Sequence, residues 1–334
     1  MAGNTAGAGQ ANPPLVLTGG IVNNVMHHPT VVRRPLVVIR AILVIAAGLL
    51  AAHLLPAQAQ ATPGYTVQAG EIHSPQGAPI QLRGVNWFGF ETGDHVPHGL
   101  WARDWRAMIA QMKNLGFNAV RLPFCPATLQ GVSVGSVNYS LNPDLAGMNS
   151  LQILDQVMAE LDAQGMYILA DHHRPDCNAI SELWYTGSYS EQQWIADLEF
   201  VARRYAHLPH FFAIDLKNEP HGTATWGTGN AATDWNAAAD RAGAAVLAAN
   251  PNLLVFVAGI QENPTCSDGA NHWWGGNLEP LACTPLTLPA DKIVLSPHVY
   301  GPDVSNQPYF GAAGFPANMP AIWEQHFGLS LIHI

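Results

Sequence analysis

The 334-residue sequence is 48% hydrophobic and 11% charged, which excludes a disordered chain, a collagen and a disulfide-stapled miniprotein. Fourteen Lys and Arg stand against 24 Asp and Glu, a net charge of −10. Arg33, Arg34 and Arg40 are the only charged residues before Glu71, so the remainder carries 11 basic and 24 acidic residues, or −13. Such a surface repels phosphates, and nucleic acid is excluded as a partner.

The N-terminus reads as an export signal. Arg33-Arg34-Pro35 lead into an apolar run ending near Leu55, followed by the small-x-small site Ala57-Gln58-Ala59. An uncleaved anchor is the competing reading, because the run approaches the roughly 20 residues that cross a bilayer. Residues 1–61 are therefore assigned to an N-terminal extension and signal peptide, with Met26 as an alternative start. The mature chain is expected to be secreted or periplasmic and monomeric, with no stable membrane association.

In an exported chain the four cysteines can be oxidised. Cys266 and Cys283 flank a polar stretch where a staple over 17 residues would contribute about 3 kcal/mol. Cys125 and Cys177 each follow a strand end, and either pair or remain buried thiols.

From residue 80 short apolar runs alternate with helical patterns. Strands are predicted at Ile80–Phe90, Ala119–Phe124, Met166–Asp171, Phe211–Leu216, Leu253–Val257 and Ile293–Leu295. Helices are predicted between them at Trp101–Leu115, Leu151–Leu161, Glu191–Tyr205 and Asp234–Ala249. Strands without strict alternation are covered on both faces, so the pattern predicts a parallel sheet with helical crossovers. There is no G-x-G-x-x-G after the first strand and no G-x-x-x-x-G-K, which removes support for nucleotide binding.

Polar residues instead follow nearly every strand. Glu91 and Asp94 follow the first, and Arg121 lies in the second. His172 and His173 follow the third, Asn218 and Glu219 the fourth, Gln261 and Glu262 the fifth, and His298 and Tyr300 the sixth. Such groups meet only where strand ends ring one mouth, the arrangement of an α/β TIM (β/α)8 barrel, of which six units are present. Adjacent His172 and His173 point apart, and no H-E-x-x-H occurs, so no metal and no cofactor is expected. Arg121 within an apolar strand requires a partner, either in a structural ion pair or as a carboxylate clamp at the mouth. Lys217 is expected to point away from the site, and Glu262 to be peripheral. Trp87, Trp101, Trp184, Trp273 and Trp274 fall in loops or at strand ends, where indoles stack on sugar faces. Trp194, Trp235 and Trp323 are placed in the core.

In these strand-end motifs the chain resembles the bacterial endoglucanase branch of glycoside hydrolase family 5, from about Tyr65 to Phe327. The motifs are Arg83-Gly84-Val85-Asn86-Trp87-Phe88-Gly89-Phe90-Glu91, His98-Gly99-Leu100-Trp101, Asn118-Ala119-Val120-Arg121-Leu122-Pro123, Asp171-His172-His173-Arg174-Pro175-Asp176, Leu216-Lys217-Asn218-Glu219-Pro220-His221, Trp273-Trp274-Gly275-Gly276-Asn277 and His298-Val299-Tyr300. The resemblance implies a retaining endo-β-1,4-glucanase acting on cellulose or cello-oligosaccharides. In it Glu219 is the acid/base, with a pKa expected to be raised by burial and a second carboxylate. Asn218 bonds the sugar 2-hydroxyl, Arg121 supports the nucleophile, His173 and His298 line the cleavage subsite, and Tyr300 orients the nucleophile. Trp101, Trp273 and Trp274 are implied platforms for glucose rings.

The family's nucleophile, a glutamate after the seventh strand, has no counterpart in this sequence, nor does the tryptophan after the eighth. Residues 62–328 are therefore expected to be an incomplete catalytic domain, inactive by itself. Residues 329–334 are read as a non-native tail, because they back-translate to the end of a common transposon adapter. Mannan or xyloglucan cleavage on the same scaffold, and a non-catalytic glucan-binding role, are the alternative readings.

Overall fold

The computed structural model describes residues 64–266 and 271–328. Residues 1–61, read as an extension and signal peptide, and residues 329–334, read as a non-native tail, lie outside the described residues. The chain opens with three short antiparallel strands, β1 (Thr66–Gln68), β2 (Glu71–His73) and β3 (Pro79–Ile80). These were not anticipated. The run predicted as one strand over Ile80–Phe90 is divided, with β3 at its start and β4 at Gly84–Asn86. Asn118 causes the break: its side chain accepts from the Arg83 amide at 2.6 Å and donates to the Gln81 carbonyl at 2.8 Å. Backbone groups so engaged are not offered to a ladder.

After β4 come α1 (Trp105–Asn114), β5 (Ala119–Phe124), the single-turn α2 (Pro126–Leu129), α3 (Ser150–Ala163), β6 (Tyr167–His172) and α4 (Glu191–Arg204). The chain continues with β7 (Phe211–Asp215), α5 (Trp235–Ala249), β8 (Leu254–Val257), β9 (Ile293–Leu295) and α6 (Met319–Trp323). Helix α1 begins four residues later than predicted because Asp104 caps it, accepting from the Ala107 amide at 2.7 Å. Asn149 with Gln152, and Ser190 with Gln193, close reciprocal capping boxes on α3 and α4.

Strands β4 to β9 pair in sequence order, each parallel to the next. A doubly wound sheet reverses its strand order at a switch point. None of these pairings does, so the strands are successive staves of a barrel wall. The inner strands β5 to β8 are almost wholly buried, whereas β4 and β9 are half-exposed edges.

Two apolar clusters result. The larger lies between the sheet and its helices, and includes Trp184, Trp194 and Trp235 with ring centroids 5.7–6.0 Å apart. Trp194 donates to the Leu216 carbonyl and Trp235 to that of Ala258, both at 2.9 Å, so α4 and α5 are tied to the C-terminal ends of β7 and β8. The smaller cluster fills the barrel with Leu169, Phe212, Leu254 and Phe256, and is closed by Tyr65 and Val67. Tyr65 is fixed there by its hydroxyl on the Pro209 carbonyl (2.7 Å) and by Lys292 on its own carbonyl (2.7 Å). Both cysteine pairs are disulfides, Cys125–Cys177 and Cys266–Cys283. No helix among the described residues is long and apolar enough to cross a membrane.

Candidate active site

Parallel strands deliver their C-terminal ends to one side, and a cleft of about 450 Å³ opens there. Its walls include Asn86 at the end of β4 and Glu91 after it, Arg121 of β5, His173 after β6, Asn218 and Glu219 after β7, and His298 and Tyr300 after β9. All six polar residues expected at the site from Arg121 to Tyr300 are thus brought together.

Glu219 is the most constrained of them. Oε1 lies 2.8 Å from His298 Nδ1 and accepts from the Tyr300 hydroxyl at 2.9 Å. Its side chain is 13% exposed, and no described residue donates to Oε2. Burial by itself raises this carboxyl, but the hydrogen bonds from His298 and Tyr300 and the nearby His298 charge outweigh it, and the net shift is downward. The sequence reading expected the opposite direction. It allowed for burial and a second carboxylate, and could not foresee two donors on one oxygen. Burial, then the Glu219 charge, pushes the Tyr300 phenol up to about 12, which keeps it a proton donor.

Arg121 is held from beneath the cleft. Nη1 is 3.0 Å from Asp171 Oδ2, while Nε and Nη2 reach Asp215 Oδ2 at 3.1 and 2.8 Å. Nη2 also donates to Asn218 Oδ1 at 3.0 Å, leaving the amide N–H groups of Asn218 as donors. Asp171 is shared with His173, whose Nδ1 lies 2.6 Å from Oδ2. Burial works to raise Asp171, but Arg121 and His173 outweigh it and hold the carboxyl below its usual range. Asp215 was missed by the sequence reading. Its signal was a lone acid closing the apolar run Phe211–Asp215, which demands a cationic partner as Arg121 does.

The tryptophans divide differently from expectation. Trp101 is 46% exposed and packs edge-on against His98, which stacks on Phe88 at 4.2 Å on the cleft wall. Trp273 and Trp274 stack on each other at 5.4 Å, Trp273 meets Tyr300 edge-on, and Trp274 lies flat on His221 at 3.8 Å. Trp87 and Trp184 are core residues, because each indole finds its partner inside: the His98 carbonyl and the Glu191 carboxylate. Trp323, assigned to the core, is 41% exposed. Lys217 is buried with its ammonium on the Asn218 carbonyl, so it adjoins the site rather than leaving it. Glu262 is exposed and outside the cleft walls.

The sequence profile of the cellulase family (glycosyl hydrolase family 5) matches residues 74–331. The chain belongs to glycosyl hydrolase family 5. It is similar to the major extracellular endoglucanase of Xanthomonas campestris pv. campestris, at 64% identity over 259 residues covering 77% of this chain and 54% of that relative. An endoglucanase of Paenibacillus polymyxa is 44% identical over 79% of this chain and 67% of its own length. The chain therefore spans about half the length of the Xanthomonas relative.

Solved structures agree. The catalytic domain of the Xanthomonas enzyme aligns at a TM-score of 0.78 and 62% identity, covering 79% of this chain and 77% of that one. An endocellulase from Pyrococcus horikoshii, crystallised with cellotetraose as a glutamate-to-alanine variant, aligns at 0.77 and 45%, covering 81% and 78%. As a family 5 member the chain has the (β/α)8 fold, represented here by six consecutive strands.

Proposed function

We propose that this chain carries the acid/base half of a retaining endo-β-1,4-glucanase site, and that its substrate is cellulose or a cello-oligosaccharide. The observation that carries the reading is Glu219 Oε1 fixed by His298 and Tyr300 on a cleft it shares with Asn218 and His173. With Oε1 so held, Oε2 is the atom that delivers a proton to the glycosidic oxygen and later accepts one from water. The free Asn218 amide suits the sugar 2-hydroxyl, and Trp101 and Trp273 suit pyranose faces flanking the cleft. The relatives named endoglucanase, and the Pyrococcus complex with cellotetraose, support the same substrate class.

Retention requires a second carboxyl about 5–5.5 Å from the first. The acids beneath Arg121 and on the cleft wall are committed elsewhere: Asp171 and Asp215 to Arg121, and Glu91 to the Gly89 amide at 2.6 Å. In this proposal the nucleophile is none of the 334 residues, and the chain alone does not turn over cellulose. The signal-like N-terminus and the extracellular Xanthomonas relative support export.

An external anion tests both halves of the reading. The full chain, given phenyl β-cellotrioside and azide, is expected to form α-cellotriosyl azide. Azide forms the new bond at the anomeric carbon as the bond to phenoxide breaks, and Glu219 gives the leaving oxygen its proton. Cellotetraose binding without azide-dependent phenol release would overturn the acid/base role. Release without azide would show that the nucleophile is present.

A further inference from the structure

Glu219 adopts a left-handed backbone conformation, φ 49°, which a residue with a side chain takes up only when its surroundings impose it. Three neighbours impose it, Lys217, His221 and Gly275. The carbonyl preceding Glu219, that of Asn218, accepts from the Lys217 ammonium. The carbonyl of Glu219 itself lies 2.7 Å from His221 Nδ1. From the other side Gly275 presses close, since a Cβ built there would stand 3.0 Å from Glu219 Cα. Both peptide planes around Glu219 are thus held by side chains, beyond the point where β7 ends at Asp215.

We propose that Lys217 is a positioning residue: its buried ammonium, by clamping the Asn218 carbonyl, holds Glu219 in the strained conformation that puts Oε1 under His298 and Tyr300 and turns Oε2 to the substrate. A lysine only 1% exposed needs a reason to be there, and this is the carbonyl to which it donates. Its neighbours fit a retained charge. Asp171, Glu219 and Asp215 attract it, and His172 beside it is neutral. Burial lowers the amine only to about 8, so it is protonated at neutral pH. Lys217 touches neither the cleft nor the reacting atoms. Removing the clamp frees the Asn218–Glu219 peptide to rotate, and an acid displaced by about 1 Å loses on the order of 100-fold in rate.

The inference rests on the reading of Glu219 as acid/base, and two leaving groups separate the two. Phenol needs a proton from Glu219, whereas dinitrophenol departs as an anion without one. In azide-dependent turnover by the full chain, Lys217→Met is expected to lose on the order of 100-fold with phenyl cellotrioside. With dinitrophenyl cellotrioside, and in cellotetraose affinity, it should change by less than about threefold. Lys217→Arg, which keeps a cationic donor, should recover much of the loss. A merely structural lysine would slow both substrates alike.

A second measurement does not depend on turnover. The Glu219 carboxyl, followed by carbon NMR and assigned with Glu219→Gln, should titrate higher in Lys217→Met than in Lys217→Gln, which is equally uncharged but keeps a donor, as the His298 and Tyr300 bonds are lost. Should the methionine variant not fold, Lys217→Gln, a neutral donor, takes its place and should fall between methionine and arginine on both readouts. An unaltered ratio between the two substrates, or an equal Glu219 titration in the methionine and glutamine variants, overturns the inference. Equal loss of both substrates in Glu219→Gln would instead overturn the acid/base reading, leaving the titration to decide on Lys217.

Discussion

Tyr300 donates its phenolic proton to Oε1 of Glu219, 81 residues earlier in the chain, at 2.9 Å. The contact joins the loop after β9 to the end of β7, across one intervening stave, and it stabilises the ionised carboxylate more than the neutral acid. Together with His298 it holds the Glu219 pKa below the usual range against the effect of burial. Tyr300→Phe removes one of the two donors, so the Glu219 pKa rises. An acid catalyst works in its protonated form, and activity declines as pH climbs through that pKa. The alkaline limb of azide-dependent phenyl cellotrioside turnover is therefore expected to move to higher pH in Tyr300→Phe. An unmoved limb would mean that the phenol does not govern this carboxyl.

Arg121 is a structural keystone as well as a wall of the cleft. Its guanidinium pairs with two aspartates whose side chains have no solvent exposure. Arg121→Met strands Asp215 in the barrel and leaves Asp171 to His173 alone, and losing a buried partner costs about 3–5 kcal/mol. Urea unfolding should show a loss of this size. Adding Asp215→Asn, which replaces one stranded charge with an amide, should restore part of it. If the single and double variants were equally unstable, Asp215 would not be the partner that matters.

Much of this was legible in the sequence because it is encoded locally. Strands such as Ala119–Phe124 and Phe211–Asp215 are short apolar runs bounded by turn residues, and their succession with helices dictates a parallel wall. Glu219, Asn218, His298 and Tyr300 stand just past those runs, so the topology alone brings them to one mouth. What stayed hidden is pairwise. Arg121 announced its need for a partner, yet nothing near it in sequence names Asp215, 94 residues away. Trp184 has the loop setting of a sugar platform, but Glu191 binds its indole and draws it inward. The direction of the Glu219 shift, too, depends on where two distant donors land.

His172 makes the fold acid-sensitive. The Tyr189 hydroxyl donates to Asp197 at 2.7 Å, so His172 Nε2, 3.2 Å from that oxygen, is the donor in their bond. Nδ1 is buried with no partner among the described residues, and burial, then Lys217, depresses the imidazole to about 3. The unfolded imidazole titrates near the ordinary histidine value of 6.5. Between these values the unfolded chain binds a proton that the folded chain refuses, so stability falls as pH drops from 6.5 toward 3. By pH 5 this one group withdraws about 2 kcal/mol at most. His172→Asn, which keeps a donor and removes the titration, should flatten the pH dependence of the urea midpoint between pH 7 and pH 5.

The two disulfides stabilise to different degrees. Cys125–Cys177 spans 52 residues and Cys266–Cys283 spans 17. On the chain-entropy estimate these closures contribute about 4 and about 3 kcal/mol, because a longer loop withdraws more freedom from the unfolded chain. The first also joins the end of β5 to the loop after β6, behind the strand ends that carry Arg121 and His173. Replacing both cysteines of one bridge by serine isolates each contribution. Cys125→Ser with Cys177→Ser should lower the urea midpoint more than Cys266→Ser with Cys283→Ser. Both replacements should also weaken cellotetraose binding, because the first bridge lies behind Arg121 and His173 and the second closes the loop that carries Trp273 and Trp274. The reverse order of midpoints would show that native contacts around the bridges, rather than loop length, set their worth.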